Sequence, residues 1–424
     1  MRLLIETLGL HFTGREESKA RILKIMDLLK RNLRPFFSLT RRKKRNIRIC
    51  LSTIVMALAF YSILYYEQDK TERKLILVYT PYPSEPWGPR NAEEANNYKF
   101  TDWDGTSCEE NKCQITFDKS LRNFSDAVLV HVGVPKFNID EAKCNRPPAQ
   151  RWVLYTKESP GVYPLGDRAD GVYNWTATYR GDSDFFVPYG SYSPLEVPNK
   201  SDVDNLIEKP LGNINYAKGK DKLATFGVSN HCNERGVRFS YVRALLKHIP
   251  ISLYGKCASR FESNNIWECP RHRGQIDDDC EEEIQRHKFY LAFENSLCID
   301  YITEKYWRNS LERGLVPVVL GGAHYGPELV IPGSFINAAD FNSVKDLADY
   351  LKYLDKNDTA YNQYFQWKTK YKIVKYNFWL CQLCKALHDP TKPAKTYHKI
   401  SEFLGINGAC KVNEERIWSI INRG

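Results

Sequence analysis

The 424-residue chain is 42% hydrophobic with a net charge of +10, long enough for two or three domains and ordinary in composition for a globular protein. The charge is not spread evenly: residues 1–48 hold 14 of the 61 Lys and Arg but only 4 of the 51 Asp and Glu, so the other 376 residues carry 47 of each sign. A nucleic-acid binder needs its positive surface on the folded domain, and a leader that holds the whole excess excludes that class.

Taken in order, residues 1–48 are a basic tail. Ile22, Leu23, Ile25, Met26, Leu28 and Leu29 alternate with Lys24, Asp27 and Lys30, which fits either an amphipathic helix on a membrane leaflet or a solvated segment. Ile49 to Tyr66 has no charged residue, follows the run Arg41-Arg42-Lys43-Lys44-Arg45, and precedes Glu67 and Asp69. That is just long enough to span a bilayer. The basic flank keeps the N-terminus cytoplasmic and sends the rest to the lumen. The late start and bulky residues argue against a cleaved signal. The expectation is a type II signal anchor at 49–66, a short stem at 67–74, and residence in the thinner membranes of the early secretory route and Golgi. Twelve cysteines in a lumenal protein point to disulfides. Cys50 lies in the anchor, which leaves an odd eleven. Asn123, Asn174, Asn199 and Asn357 open glycosylation sequons.

Beyond the stem, Leu75–Tyr79, Ala127–Val132 and Arg151–Tyr155 are apolar runs of strand length. Cys108 and Cys113 flank a polar turn and are candidates for a local disulfide. Glu158 lies just past the third run, at the edge where open α/β sheets bind ligands. A carboxylate there suits proton abstraction from a hydroxyl; the plainer reading is a turn residue before Pro160. Asp182-Ser183-Asp184 has the form of a metal-binding acidic triplet, a weak signal alone. Polar residues 201–221 read as a linker between a first unit, 75–200, and a second, 222–390, with 391–424 as a tail. In the second unit Leu223–Val228 and Ile251–Tyr254 are strands around a helix, Glu234–Lys247. Arg238, early in that helix, has the reach to grip a diphosphate with two parallel hydrogen bonds, with Arg235 as the fallback. Ser343–Leu354 is a further helix, and the aromatic run Tyr361–Tyr376 is expected to be helical. Cys381-Gln-Leu-Cys384 has zinc spacing, but zinc needs two more ligands and His388 is only one candidate.

The densest pattern is His287–Gly322. Phe289–Phe293 is a buried-strand run, Glu294-Asn295-Ser296 breaks it, Asp300 is placed to cap a helix opening with Thr303, Glu304 and Lys305, Gly314 ends that helix, and Val316–Leu320 is the next strand. A helix N-terminus with Lys305 beside it is suited to an anion, a diphosphate first of all. This stretch resembles the signature of the eukaryotic α1,3-fucosyltransferases: an apolar strand ending in FENS, then DYITEK, then VPVVLG, here Leu291–Ser296, Asp300–Lys305 and Val316–Gly321. The ESP of that family matches Glu158-Ser159-Pro160, and its VSN followed by an Arg before a Tyr-containing helix matches Val228–Asn230 and Arg238.

The resemblance implies an α/β fold of GT-B type, two Rossmann-like domains facing a cleft behind one transmembrane helix. It implies inverting transfer of L-fucose from GDP-β-L-fucose to the 3-hydroxyl of N-acetylglucosamine on glycoprotein glycans. Glu158 would be the general base, Arg238 and Lys305 would hold the diphosphate, and Glu304 would lie near the fucose. Tyr301 and Asn295 match residues that position nucleotide or sugar, and Glu294 is grouped with them as donor-binding. In the family the DSD triplet is not a metal site and no metal is required. The terminal CxxC pairs with distant cysteines, so Cys381 and Cys384 would form structural disulfides. The rival readings are a glycan-binding protein of the same fold without turnover, and a transferase for another nucleotide sugar.

Overall fold

Strands buried on both faces are continuous apolar runs rather than alternating ones, and the chain contains two sets of them. In the computed structural model, which describes residues 73–80, 88–102, 105–132, 139, 146–195, 214–230, 232–272, 275–374, 379–392 and 395–423, they form two six-stranded sheets, each parallel throughout. The expected anchor, residues 49–66, and its basic tail lie outside the described residues, as do Asn199 and Cys144. Among the described residues no helix is long and apolar enough to cross a membrane. All the elements below belong to the unit Lys74–Gly424.

The first sheet contains β1 (Lys74–Thr80), β2 (Cys113–Thr116), β3 (Ala127–His131), β4 (Arg151–Thr156), β5 (Trp175–Thr178) and β6 (Phe185–Phe186), in the order β2-β1-β3-β4-β5-β6. Both its faces are covered. Ile76, Val78 and Leu129 point into one core, and Leu77, Val128 and Val130 into another. After β7 (Ser191–Pro194), the second sheet is built from β8 (Lys222–Gly227), β9 (Ile251–Tyr254), β10 (Ile266–Trp267), β13 (His287–Phe293), β14 (Val316–Leu320) and β15 (Ile336–Asn337), with a small hairpin, β11 (Arg271–His272) and β12 (Gln275–Ile276), between β10 and β13. Its order is β10-β9-β8-β13-β14-β15. The strand order therefore reverses between β8 and β13, and the carboxyl ends of such a pair form a crevice that binds ligands in open α/β sheets. All seven residues of β13 and all five of β14 are buried. Pro317 has no N–H to give, and β15 pairs only with Val318 and Val319, so the proline lies outside that ladder.

The C-terminal third differs from the sequence reading. The helix expected over 361–376 is a short helix, Asp358–Asn362, then 3-10 turns, Gln363–Thr369, then a strand, β16 (Tyr371–Val374), antiparallel to β7. β-branched Ile373 and Val374 suit an extended partner better than a helix. The next helix, Trp379–His388, packs on the first sheet, with Trp379 stacked on Tyr155 at 5.6 Å. Ile400–Leu404 covers the other face of that sheet. Glu414–Asn422 then returns to the second unit, where Ile417 and Ile420 join its core. The split of the chain at 390 into domain and tail therefore does not follow the packing. An apolar helix face does not state in sequence which sheet it will cover.

Disulfides fix that crossing. Cys108 pairs with Cys381, and Cys113 with Cys384. The local Cys108–Cys113 bridge is thus corrected: β2 begins at Cys113 and carries it away from the turn toward the Trp379–His388 helix. The distant pairing of the CxxC stands. Closing a loop of 273 residues removes unfolded-state entropy that the chain-entropy model puts at about 5 kcal/mol, and the second bridge, closing almost the same loop, adds little. The double substitution Cys381→Ser with Cys384→Ser should therefore lower unfolding free energy by about 2–5 kcal/mol in denaturant titration. The single Cys384→Ser should lower it much less.

Candidate functional site

The crevice at the carboxyl ends of β8 and β13 is where the chemistry collects. Arg238, the second residue of the Val237–Leu246 helix, is only 9% exposed, and its guanidinium donates to the Asn230 carbonyl at 3.2 Å. Burial lowers its pKa, while Glu294, Tyr290, Tyr301 and Glu304 pull the other way, and an arginine stays charged under such a contest. Arg235, the fallback, is exposed on the loop before the helix and lines neither cavity described below.

After β13 the chain buries a carboxylate. Glu294 is 3% exposed. It accepts from the Thr303 amide at 2.8 Å and from the Thr303 hydroxyl at 2.9 Å, and it pairs with the Lys305 ammonium at 3.1 Å. Lys305 also meets Glu304 at 3.1 Å. Burial raises the Glu294 pKa, with Lys305 opposing. Burial also acts against the Lys305 charge, but Glu294 and Glu304 outweigh it and raise that pKa. Lys305 in turn lowers the Glu304 pKa against the effect of burial. Between ammonium and Glu294 the ammonium keeps the proton, because three hydrogen-bond donors converge on the carboxylate.

This arrangement corrects the expected helix. Residues 301–303 have no regular secondary structure and 304–310 are turns, with Asn309 N–H donating to Glu304 O at 2.7 Å and Leu311 N–H to Tyr306 O at 3.2 Å, each five residues back, before a 3-10 turn at Leu311–Arg313. Asp300 is no helix cap. It has a left-handed φ of 56°, accepts from Gly181 N–H at 3.1 Å and pairs with His324 at 3.3 Å. The Thr303 amide that a helix N-terminus would offer to an anion is already taken by Glu294. Gly314 is left-handed, φ 72°, as expected. Close packing also demands Gly322, since a Cβ there would lie 2.5 Å from the Leu297 carbonyl carbon.

The first sheet contributes the loop after β4. Glu158 N–H donates to the Thr156 hydroxyl at 3.0 Å, and the Glu158 carboxylate accepts from the Tyr301 hydroxyl at 2.8 Å. The next residue, Ser159, is fully buried, and its hydroxyl donates to that of Ser296 at 2.9 Å. A Cβ on Gly161 would collide with Ser296 Oγ, so these two loops need glycine to approach so closely.

Two cavities share this ground. The smaller, about 150 Å³, is lined by Glu158, Arg238, Asn295, Tyr301, Glu304 and Lys305 among others. The larger, about 390 Å³, is lined by Arg238, Glu294, Asn295, Ser296, Lys411 and Glu414 among others. They share Arg238 and Asn295. The buried Asn295 Oδ1 has no hydrogen-bond partner among the described residues. Six of the seven residues read from the sequence meet in the smaller cavity, and Glu294 supports them from the larger. Lys411 and Glu414 were missed. They arrive because Cys410 is bridged to Cys298 and Val412 N–H donates to Leu297 O at 3.0 Å. The unassigned cysteine near the C-terminus was the only signal.

The acidic triplet lies elsewhere. Asp182 pairs with Arg180 at 2.6 Å, and Asp184 accepts from Thr176 N–H and Tyr397 hydroxyl, both at 3.0 Å. Cys113, Cys384 and His388 cluster at metal-ligand spacing, but the two sulfurs are bonded to each other. Of the sequons, Asn123 is exposed. Asn357 caps the Asp358–Asn362 helix through its carbonyl oxygen. Asn174 is a correction: it is 6% exposed, its carbonyl oxygen accepts from Trp152 N–H and its amide donates to Lys395 O at 2.7 Å. The fold leaves no room for a glycan on that nitrogen.

Removing the Glu294 carboxylate would leave the Lys305 ammonium with Glu304 alone and the buried Thr303 amide without its acceptor. Glu294→Ala should cost about 3 kcal/mol of unfolding free energy, read by denaturant titration, whereas Glu304→Ala, at a position about a third exposed, should cost far less.

Family models match over most of this unit: "Fucosyltransferase, N-terminal" over residues 71–190 and "Glycosyltransferase family 10 (fucosyltransferase) C-term" over 217–403. Alpha-(1,3)-fucosyltransferase 4 of Rattus norvegicus is 37% identical over 269 residues, covering 62% of this chain and 57% of that protein. The 3-galactosyl-N-acetylglucosaminide 4-alpha-L-fucosyltransferase FUT3 of Bos taurus is 33% identical over 362 residues, covering 79% of this chain and 89% of that protein. Glycoprotein 3-alpha-L-fucosyltransferase A of Drosophila melanogaster is 31% identical over 359 residues, covering 83% and 64%. A solved α1,3-fucosyltransferase with GDP superposes with a TM-score of 0.43 at 17% identity, over 77% of this chain and 93% of that one.

Proposed function

This chain belongs to the fucosyltransferases of glycosyltransferase family 10, and we propose that it transfers L-fucose from GDP-β-L-fucose to the 3-hydroxyl of N-acetylglucosamine in glycoprotein glycans. The observation that carries this reading is the meeting of one carboxylate from the first sheet's loops, Glu158, with two cations from the second's, Arg238 and Lys305, around one cavity. That is a base opposite a grip for a leaving diphosphate.

In the proposed reaction the acceptor oxygen attacks the anomeric carbon of fucose from the face opposite the nucleotide, so configuration inverts. Glu158 takes the hydroxyl proton. The bond from the anomeric carbon to the phosphate oxygen breaks, and GDP leaves with its electron pair. Negative charge grows on the diphosphate, where Arg238 and the protonated Lys305 stabilise it. Glu304, about a third exposed beside Lys305, stands near the positive charge that develops on the sugar ring. The bovine relative's name supplies the acceptor sugar, with transfer to its 4-position, and the Drosophila relative's name supplies glycoprotein and the 3-position; together they favour N-acetylglucosamine acceptors here, on N-glycan cores or antennae. Two fixed cations do the work that a divalent ion does in metal-dependent transferases, so no metal is assigned. The parallel sheets and their shared cleft fit a GT-B arrangement, and the basic leader with its apolar stretch at 49–66 fits a Golgi anchor.

The test is turnover by the full-length chain with a set of nucleotide sugars and defined glycans, in the presence of a chelator. Fucoside formation from GDP-fucose alone is expected. Turnover with another nucleotide sugar, or binding of glycans without turnover, would replace this reading with one of its rivals. Glu158→Gln should abolish turnover with GDP affinity within about twofold of wild type. Arg238→Ala should weaken GDP binding about tenfold or more, as loss of a charged hydrogen-bond partner does; unchanged affinity removes Arg238 from the site.

A further inference from the structure

We propose that Tyr301 is a positioning residue for the Glu158 base rather than a ligand of the nucleotide, and that the Ser159–Ser296 contact is a second tie with the same task. The inference rests on the transfer reading above and adds how the base is held. Glu158 sits on the loop after β4 of one sheet, and Tyr301 on the loop after β13 of the other. The Tyr301 hydroxyl donates to Glu158 Oε2 at 2.8 Å, which leaves Oε1 as the oxygen that takes the proton from the acceptor hydroxyl.

Tyr301 is built for this. Its side chain is 1% exposed. Burial and the neighbouring Glu158 raise the pKa of its phenol well above the ordinary value, so it remains a donor throughout the working range. Its ring is held edge-on by Tyr179 at 4.9 Å and by Tyr189 at 6.3 Å, two residues that follow strands of the first sheet. One residue along from the base, the buried Ser159 hydroxyl reaches Ser296 at 2.9 Å. A carboxylate on a loop would otherwise sample several rotamers, and misplacing a reacting group by about 1 Å costs roughly a hundredfold in rate. The base therefore belongs to one half of the molecule, while its geometry is set by the half that holds the cations.

The test is Tyr301→Phe in the full-length chain, with steady-state kinetics and GDP binding measured side by side. The expected result is a kcat lower by about tenfold to a hundredfold, the worth of a hydrogen bond to a charged group, with the Kd for GDP within about twofold of wild type. Ser296→Ala should show the same split with a smaller fall in kcat, and it carries the test if Tyr301→Phe does not fold. GDP affinity that falls in step with kcat, or an unchanged kcat, overturns the inference while leaving the transfer reading intact. A wild-type chain that forms no fucoside overturns both.

Discussion

The buried carboxylate of Glu294 is the constraint on which the rest of the site turns. A carboxylate at 3% exposure is tolerated only with its oxygens filled, and the chain fills them with the Thr303 amide, the Thr303 hydroxyl and the Lys305 ammonium. The cost of burial is offset by these contacts, and the gain is a lysine that stays charged inside a cleft. The same contacts draw residues 301–305 inward, so the segment advances by five-residue turns instead of a regular helix. That inward draw is also what carries the Tyr301 hydroxyl across to Glu158. A motif of a dozen residues thereby sets a cation, its counter-charge and a cross-cleft contact at once.

The architecture places that motif where it has most effect. The reversal of strand order between β8 and β13 opens the second sheet at its carboxyl edge. Arg238 enters from the helix after β8, and Glu294 follows β13 directly. The first sheet then needs only one loop, the one after β4, to bring the Glu158 carboxylate to the same cavity. The C-terminal segment crosses to the first sheet, is bonded there by two disulfides, and returns so that a third, Cys298–Cys410, brings Lys411 and Glu414 to the larger cavity. The oxidised cysteines thus hold parts of the site together and not merely its periphery.

The strands and the site residues were legible in sequence for a local reason. Buried parallel strands such as AVLVH at β3 and VPVVL at β14 carry their burial in their own composition. Glu158 and Asn295 sit two residues past such strand ends, whereas Arg238 and Lys305, eleven and twelve residues past theirs, were reached through the family motif. What failed was non-local. Asp300, Thr303, Glu304 and Lys305 have the composition of a helix start, but Glu294, nine residues from Thr303, competes for the amide and wins. Cys108 and Cys113 are near enough in sequence to invite a bridge, but their partners lie 273 and 271 residues away. Asn174 satisfies a three-residue glycosylation pattern, while its burial is decided by Trp152 and Lys395. The short strands β6, β7 and β16 have too few residues to show a period and exist only because a neighbour pairs with them.

The central claim is that fixed protein cations, not a metal, grip a diphosphate in this crevice. The most direct measurement is the affinity of the full-length chain for GDP against GMP, with a chelator present, in the wild type and in Lys305→Gln. The account predicts GDP bound at least about tenfold tighter than GMP by the wild type, the worth of a charged contact, and a preference largely lost in the variant. Equal affinity for the two nucleotides, or a preference that Lys305→Gln leaves untouched, would contradict it.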